Sequence, residues 1–174
     1  PYARRRSVSA AHVEAGLDRL AALAGASKAL APQVARIAAL YAEVLRGGGT
    51  LYFCGNGGSA ADAQHVATEY VVRYQRKRRP LRSIALTTDT SILTAAGNDF
   101  SFDEIFSRQL EALGRAGDLL MVHTTSGNSP NVLRAAESAR AKGAKVLSLS
   151  ARDGGALRGL SDIALYYIGG IIKH

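Results

Sequence analysis

Short apolar segments that alternate with helical segments constrain this chain more than any other feature of its sequence. Five such segments of four or five residues are separated by stretches with helical periodicity. They cover residues 51–54, 83–87, 119–123, 146–150 and 163–167. Strands separated by helices require right-handed crossovers, which produce a parallel sheet covered on both faces. The sequence therefore predicts an α/β fold with a single doubly wound, five-stranded parallel sheet.

Two helical segments precede the first strand. Apolar residues recur at helical spacing over residues 8–25 and again over 30–46, where the pattern stops at Gly47-Gly48-Gly49. We predict an N-terminal helical hairpin over residues 7–46. A length of 174 residues suits one compact domain, so we also predict a single domain over residues 1–174.

The composition excludes several classes of protein. Hydrophobic residues make up 47% of the chain and charged residues 21%, which excludes a disordered or collagen-like chain. No apolar run approaches the roughly 20 residues that span a bilayer, so we expect no membrane partner. The single cysteine, Cys54, excludes an internal disulfide and favours a cytoplasmic location. We interpret Cys54 as a small buried residue rather than a nucleophile.

The formal net charge of +8 is unevenly distributed along the chain. Nine of the 22 positive side chains lie within residues 4–6 and 73–82, and the remaining 13 nearly balance the 14 acidic side chains. A basic run can bind nucleic acid, but the run over residues 73–82 contains Pro80 and no aromatic residue beyond Tyr74. We therefore interpret this run as a solvated loop and expect no nucleic-acid partner.

Two loops that follow predicted strands have a composition typical of phosphate sites. Residues 54–59 read Cys-Gly-Asn-Gly-Gly-Ser, and residues 124–129 read Thr-Thr-Ser-Gly-Asn-Ser. In parallel sheets, ligands bind beyond the carboxyl ends of the strands, where backbone N–H groups at helix N-termini face outward. Neither loop has the spacing of a dinucleotide or Walker motif. The sequence predicts a site for a small phosphorylated ligand, although turn formation and helix capping use the same residue types.

His65 and Glu69 lie four residues apart in the helix predicted after the first loop, so their side chains share one helix face. Both residue types ligate metals, and a carboxylate also transfers protons. The same pair is common on solvated helices without any function. Asp62 and Asp89 are weaker candidates, because capping and loop hydrogen bonds explain them equally well. We interpret His123, which ends a strand, as a packed side chain.

Four separated motifs resemble the phosphoheptose isomerases, which are sugar-isomerase (SIS) domain proteins. The motifs are Phe53–His65, Ile84–Ser91, Gly97–Asp99 and Thr125–Asn131, and the resemblance spans residues 7–167. It implies a flavodoxin-like parallel sheet with an N-terminal helical hairpin, in agreement with the reading of the strands above. It also implies a homotetramer whose sites lie between subunits and often hold zinc.

The resemblance further implies an activity and a set of site residues. The activity is an aldose–ketose isomerisation that converts sedoheptulose 7-phosphate to D-glycero-D-manno-heptose 7-phosphate, for bacterial lipopolysaccharide core or other heptosides. His65 and Glu69 match the metal ligands of the family, and Glu69 also matches its acid–base carboxylate. With Glu69, the positions matched to substrate contacts are Asn56, Gly57, Gly58, Ser59, Asn98, Asp99, Thr124, Thr125, Ser126 and Ser129.

The C-terminal part of the family pattern is altered. Family members continue into a helix that supplies a glutamine and a histidine to the metal, whereas here Tyr167 leads directly into Ile168–Ile171, with Gly170 at the position of the histidine. Either a segment between Tyr167 and Ile168 is absent from this sequence, or the chain lacks part of the site. The departure keeps open a second function, a non-catalytic SIS module that binds a protein partner, as in replication-initiator-associating proteins. The intact Glu69 and second loop favour the isomerase.

Overall fold

Five parallel strands with helices on both faces form the structure, a computed structural model that describes residues 9–167. The helices are α1 (Ala10–Ala26), α2 (Ala31–Arg46), α3 (Gly58–Val71), α4 (Thr90–Asp99), α5 (Ser107–Leu113) and α6 (Pro130–Ala141), with 3₁₀ segments at Ser27–Leu30, Phe102–Glu104 and Ala156–Leu160. The strands are β1 (Leu51–Cys54), β2 (Ser83–Ala85), β3 (Leu119–His123), β4 (Lys145–Ala151) and β5 (Ile163–Tyr167). The predicted α/β class and five-stranded parallel sheet are confirmed.

The order of the strands across the sheet is β2-β1-β3-β4-β5. The chain moves outward from β1 to β2 and then returns to the other side of β1 with β3, so the winding direction reverses between β1 and β3. In open α/β sheets, ligands bind in the crevice at such a switch point, beyond the carboxyl ends of the strands. Both predicted phosphate loops leave the sheet at this crevice, because one follows β1 and the other follows β3.

Alternate residues of the strands supply two hydrophobic cores. Phe53 and Met121 pack with α2 and α3, whereas Tyr52 and Val122 pack with α5 and α6, because successive strand residues point to opposite faces. Full burial of a large apolar side chain stabilises the fold by roughly 1.5–3 kcal/mol. Burial on both faces explains why the strands appear in the sequence as continuous apolar runs.

The two predicted N-terminal helices are present as α1 and α2, which the 3₁₀ segment Ser27–Leu30 joins into one long helical stretch. The backbone stays in the helical region at both ends of the 3₁₀ segment, with φ −64° and ψ −15° at Ser27 and φ −53° and ψ −41° at Ala31. The segment contains no glycine or proline that would reverse the chain. α2 packs against the sheet, whereas α1 buries none of its residues within the described chain. Among residues 9–167, none of the helices has the length and apolar character needed to cross a bilayer.

Some element boundaries differ from the predicted ones. β2 ends at Ala85 rather than at residue 87, and a 3₁₀ turn precedes α5. Local hydrogen bonds separate this turn from α5, because Ser101 Oγ accepts from the backbone N–H of Asp103 and Ser107 Oγ donates to Glu104 Oε2 at 2.7 Å. Such side-chain bonds compete with helical ones.

The basic run over residues 73–82 is exposed for most of its length. Arg78 turns back onto the end of α3, where its guanidinium donates to the backbone carbonyl oxygens of Glu69 and Tyr70. A cation is favourable at a helix C-terminus, and it satisfies carbonyl groups that have no partner within the helix. This placement agrees with a solvated loop that caps α3.

Candidate functional site

The loop between β1 and α3 brings its backbone to the switch point. Gly55 packs closely on β3, since a Cβ at this position would lie 2.6 Å from the backbone oxygen of His123. Gly57 has φ +56° and occupies the N-cap position of α3, where a glycine has no side chain to cap the helix. Gly57 and Gly58 are exposed, and Ser59 is half-buried in the first turn of α3. The loop therefore presents backbone groups and a helix N-terminus to the crevice.

Hydroxyl groups organise the loop between β3 and α6. Thr124 is buried, and its Oγ1 accepts from the backbone N–H of Gly127 at 3.2 Å. Ser126 Oγ accepts from the backbone N–H of Asn128, also at 3.2 Å. Thr125 is exposed beside them. These acceptor contacts leave each hydroxyl proton able to donate to a ligand oxygen.

Ser129 precedes α6 at its N-cap position but makes no side-chain capping hydrogen bond. Its hydroxyl is therefore uncommitted within the described chain. α6 begins with Pro130 and continues for 12 residues, so its N-terminus carries the partial positive charge of a helix dipole. The loop combines hydroxyl donors with a helix start, which is the chemistry of an anion site.

The loop after β4 contacts the loop after β3 through hydrogen bonds and close backbone packing. The backbone oxygen of Gly127 accepts from Leu157 N at 3.0 Å, and Asn128 Oδ1 accepts from Ala156 N at 2.9 Å. Gly127 has φ +67°, and a Cβ there would overlap the backbone oxygen of Gly154. This third loop was not predicted from the sequence, although Gly154-Gly155 after a strand is a recognisable signal for close backbone approach.

A pair of side-chain amides joins the two predicted phosphate loops. Asn56 Nδ2 donates to Asn131 Oδ1 at 2.9 Å, and Asn131 Nδ2 donates to Asn56 Oδ1 at 2.8 Å. Asn131 lies in the first turn of α6 and is 1% exposed. Asn131 belongs to the last of the four motifs, but no role was predicted for it. The available signal was a polar amide in the first turn of a helix, directly after Pro130.

His65 and Glu69 share one face of α3, as predicted from their spacing. His65 Nε2 lies 3.9 Å from Glu69 Oε1, and the side chains are 76% and 29% exposed. Glu69 Oε2 is nevertheless buried and has no hydrogen-bond partner in the described part of the chain. A buried carboxylate oxygen without a donor is costly, so this atom is suited to a ligand.

Glu69 lies at the opposite end of α3 from the loops. The first turns of the helix lie at the carboxyl edge of the sheet, where Gln64 Nε2 donates to the backbone oxygen of Thr87. The last turn lies at the amino edge, where Leu81 N donates to the oxygen of Tyr70. At 1.5 Å per residue, Glu69 is roughly 16 Å along the axis from the start of the helix. The structure therefore does not bring Glu69 beside the loops of its own chain.

The described residues supply two of the donors that a zinc site needs. His65 and Glu69 are a nitrogen and an oxygen ligand within reach of one ion, whereas zinc usually takes four ligands. Residues 9–167 contain no cluster of three or more histidine, cysteine, aspartate or glutamate side chains arranged for a metal. Gly170, at the position of the family's histidine, lies outside the described residues.

Asn98 and Asp99 occupy the last turn of α4 and are exposed. Asn98 Nδ2 donates to Asp99 Oδ1 at 2.8 Å. No hydrogen bond between side chains in the described range connects this pair to either loop. Their assignment as substrate contacts stays a prediction.

The other candidate residues, Cys54, His123 and Asp89, are either buried or used to cap a helix. Burial raises the pKa of the Cys54 thiol, which agrees with a packed residue rather than a nucleophile. Burial also lowers the pKa of His123, and the negative charge of Asp62 partly opposes that shift. Asp89 caps α4, because its Oδ1 accepts from Ile92 N at 3.0 Å.

Comparison with known proteins identifies relatives for most of the chain. A family model described as the SIS domain matches residues 18–151. The phosphoheptose isomerase of Nitratidesulfovibrio vulgaris is 59% identical over 122 residues, a match that covers 70% of this chain and 59% of that protein. The phosphoheptose isomerase of Rhodospirillum rubrum is 53% identical over 135 residues, covering 78% of this chain and 72% of that protein.

A solved structure shows the same fold. The phosphoheptose isomerase from Neisseria gonorrhoeae superimposes with a TM-score of 0.81 at 41% sequence identity. The superposition covers 92% of this chain and 84% of that chain. At this level of identity, the shared fold and the shared sequence motifs indicate common descent.

Proposed function

This chain belongs to the SIS domain family and, within it, to the phosphoheptose isomerases, and we propose that it interconverts a ketose phosphate and an aldose phosphate of seven carbons. The substrate pair is sedoheptulose 7-phosphate and D-glycero-D-manno-heptose 7-phosphate, which supplies bacterial heptosides such as lipopolysaccharide core. We place the reaction in the cytoplasm, which the single cysteine favours. The observation that carries the proposal is the meeting of two glycine- and hydroxyl-rich loops at the switch point of the sheet.

The loop between β3 and α6 binds the phosphate group in this proposal. Ser126 and Ser129 donate their hydroxyl protons to phosphate oxygens, and the N-terminus of α6 adds its dipole. The loop between β1 and α3 contacts the sugar through Asn56 and the backbone around Gly57. Anchoring both ends of the ligand holds the reacting carbons in register, which lowers the entropic part of the barrier.

The reaction transfers a proton between C1 and C2 through an enediol. It requires an acid–base group within hydrogen-bond reach of those carbons and a group that polarises the carbonyl. We assign the proton transfer to Glu69, whose buried Oε2 has no donor among the described residues. A hydroxyl group of the substrate or of the enediol would supply the missing donor.

We propose zinc as the cofactor, and the donor pair fits part of such a site. His65 and Glu69 would hold the ion, with the remaining ligands supplied from outside residues 9–167 or from a second copy. When bound, zinc would polarise the substrate carbonyl as a Lewis acid. His65 is exposed, so it can turn toward an ion without disturbing the core.

We propose that the functional unit is a homotetramer whose sites lie between subunits. Glu69 and the loops lie at opposite ends of α3, so the loops of one copy and Glu69 of a neighbouring copy form one site. α1 offers a surface for such an assembly, because Val13, Leu17 and Leu20 share one face and are 53%, 59% and 54% exposed. Because each side chain is already nearly half covered, burial of the rest would stabilise an assembly by roughly 1 kcal/mol per residue.

Light scattering should therefore give four times the mass of the chain in dilute solution. Leu17→Glu places a charge within the exposed apolar face of α1 and should shift the protein to smaller species, because an unpaired buried charge is costly. Arg19→Glu introduces the same carboxylate at an exposed position beside that face and should leave the mass unchanged. A monomer mass for the parent protein would contradict the proposed assembly.

Ser126→Ala and Ser129→Ala should each weaken the binding of sedoheptulose 7-phosphate by about 10- to 150-fold, because each removes one hydrogen bond of about 1.5–3 kcal/mol to a charged acceptor. Calorimetric titration measures the affinity directly. The effect of Ser129→Ala is the cleaner of the two, since Ser126 Oγ also accepts from Asn128 N. Ser138→Ala is the control, because Ser138 lies in the second half of α6, away from the loop. It should bind the ligand as the parent does. Parent-like affinity in both loop variants would reject the phosphate assignment.

A further inference from the structure

The Asn56–Asn131 pair links the loop after β1 to the start of α6. The two hydrogen bonds, 2.9 and 2.8 Å long, close a ring between residues that are 75 positions apart in the chain. One amide belongs to the loop after β1, and the other belongs to the first turn of α6. The contact therefore ties the proposed sugar loop to the helix that begins at the proposed phosphate loop.

The pair also selects the orientation of the Asn56 amide. Each side-chain amide offers two N–H donors and an oxygen with two lone pairs, and the ring uses one donor and one lone pair of each residue. Rotation of Asn56 alone by half a turn would set N–H against N–H and oxygen against oxygen. Asn131 is 1% exposed, so the protein around it restricts a compensating rotation.

Asn56 keeps hydrogen-bonding capacity that Asn131 does not use. Asn56 is half-buried at the crevice, and one N–H and one lone pair of its amide are outside the ring. An amide whose orientation is set in advance binds a sugar hydroxyl without first losing rotational freedom. Its partner Asn131 lies beneath the surface and has no comparable access to a ligand.

We propose that Asn131 is a positioning residue, which orients Asn56 toward the sugar of the ligand and holds the sugar loop in register with the phosphate loop. The inference rests on the proposed function for the role of Asn56 as a sugar contact. Asn131 acts through Asn56 and not through the phosphate. Its loss should therefore affect the binding of a sugar phosphate and spare the binding of inorganic phosphate.

Calorimetric titration with two probes, sedoheptulose 7-phosphate and inorganic phosphate, tests this separation. Asn131→Leu keeps the size of the side chain and removes both hydrogen bonds. It should weaken sugar-phosphate binding by about 10- to 100-fold, by analogy with residues that orient a metal ligand. The affinity for inorganic phosphate should change by less than about threefold. Asn131→Ser repeats the measurement if the leucine variant does not fold.

Two further variants separate positioning from a general structural effect. In an Asn56→Ala background, Asn131→Leu should have no additional effect on sugar-phosphate affinity, because the side chain through which Asn131 acts is gone. Val132→Ala creates a cavity at the next buried position of α6, and it should lower thermal stability without selective loss of the sugar phosphate.

The outcomes distinguish this inference from the proposed function. An equal loss of both probes, an undiminished effect in the Asn56→Ala background, or unchanged affinity in both Asn131 variants would overturn the positioning role. A parent protein that binds both probes equally would overturn it as well, since Asn56 would then make no sugar contact. Turnover is measured separately. A parent that binds the sugar phosphate selectively without isomerising it would contradict the proposed reaction and leave the positioning role supported.

Discussion

Glu69→Gln should lower the turnover of sedoheptulose 7-phosphate by at least about 100-fold, because general acid–base groups typically contribute about 10²- to 10⁴-fold. Glutamine keeps the size of the side chain and its hydrogen-bonding reach, but it cannot take up the proton. The side chain is 29% exposed on a helix, so the fold should persist. Turnover at saturating substrate measures the effect, and calorimetric titration should show that the ligand still binds.

Glu137→Gln is the matched control for this substitution. Glu137 lies on α6 and is exposed, so the same chemical change should leave turnover at the level of the parent. Turnover that survives Glu69→Gln would contradict the acid–base role but not the family. No turnover by the parent with zinc supplied would favour the protein-binding module instead, and it would direct attention to the position of Gly170.

The strands were predictable because the sheet is buried on both faces. Leu119–His123, for example, is buried at every position, so it appears in the sequence as an apolar run that needs no long-range information. The positions of the two loops were predictable as well, because glycine and hydroxyl residues directly after a strand form turns and helix caps. The surface that α1 packs against was not predictable, because α1 buries none of its residues against the rest of residues 9–167.

Long-range contacts explain what the sequence did not reveal about the site. The contact of Asn131 with Asn56 was not predictable from the sequence. It depends on the strand order β2-β1-β3, which places α6 beside the loop that carries Asn56. The spacing of His65 and Glu69 placed them on one helix face, but it carried no information on their distance from the loops. That distance follows from the path of α3 across the sheet, from Thr87 at one edge to Leu81 at the other.

Gly127→Ala should destabilise the protein and abolish tight phosphate binding together. Gly127 has φ +67°, and a Cβ would overlap the backbone oxygen of Gly154, which cannot rotate away as a flexible side chain could. Left-handed strain and a displaced backbone together should cost about 3 kcal/mol or more. Displacement of the loop would also misplace the hydroxyls of Ser126 and Ser129, each of which contributes about 1.5–3 kcal/mol to a charged acceptor.

The melting temperature should fall by roughly 6–12 °C, since each kcal/mol shifts it by about 2–4 °C in a chain of this size. The affinity for inorganic phosphate should fall by more than about 100-fold. Gly48→Ala is the matched control, because Gly48 has φ +80° but a Cβ there would have nothing within 4 Å. It carries the conformational cost of about 1–2 kcal/mol alone and should bind phosphate as the parent does. If both variants bind phosphate equally well, the packing of Gly127 on Gly154 does not shape the phosphate site.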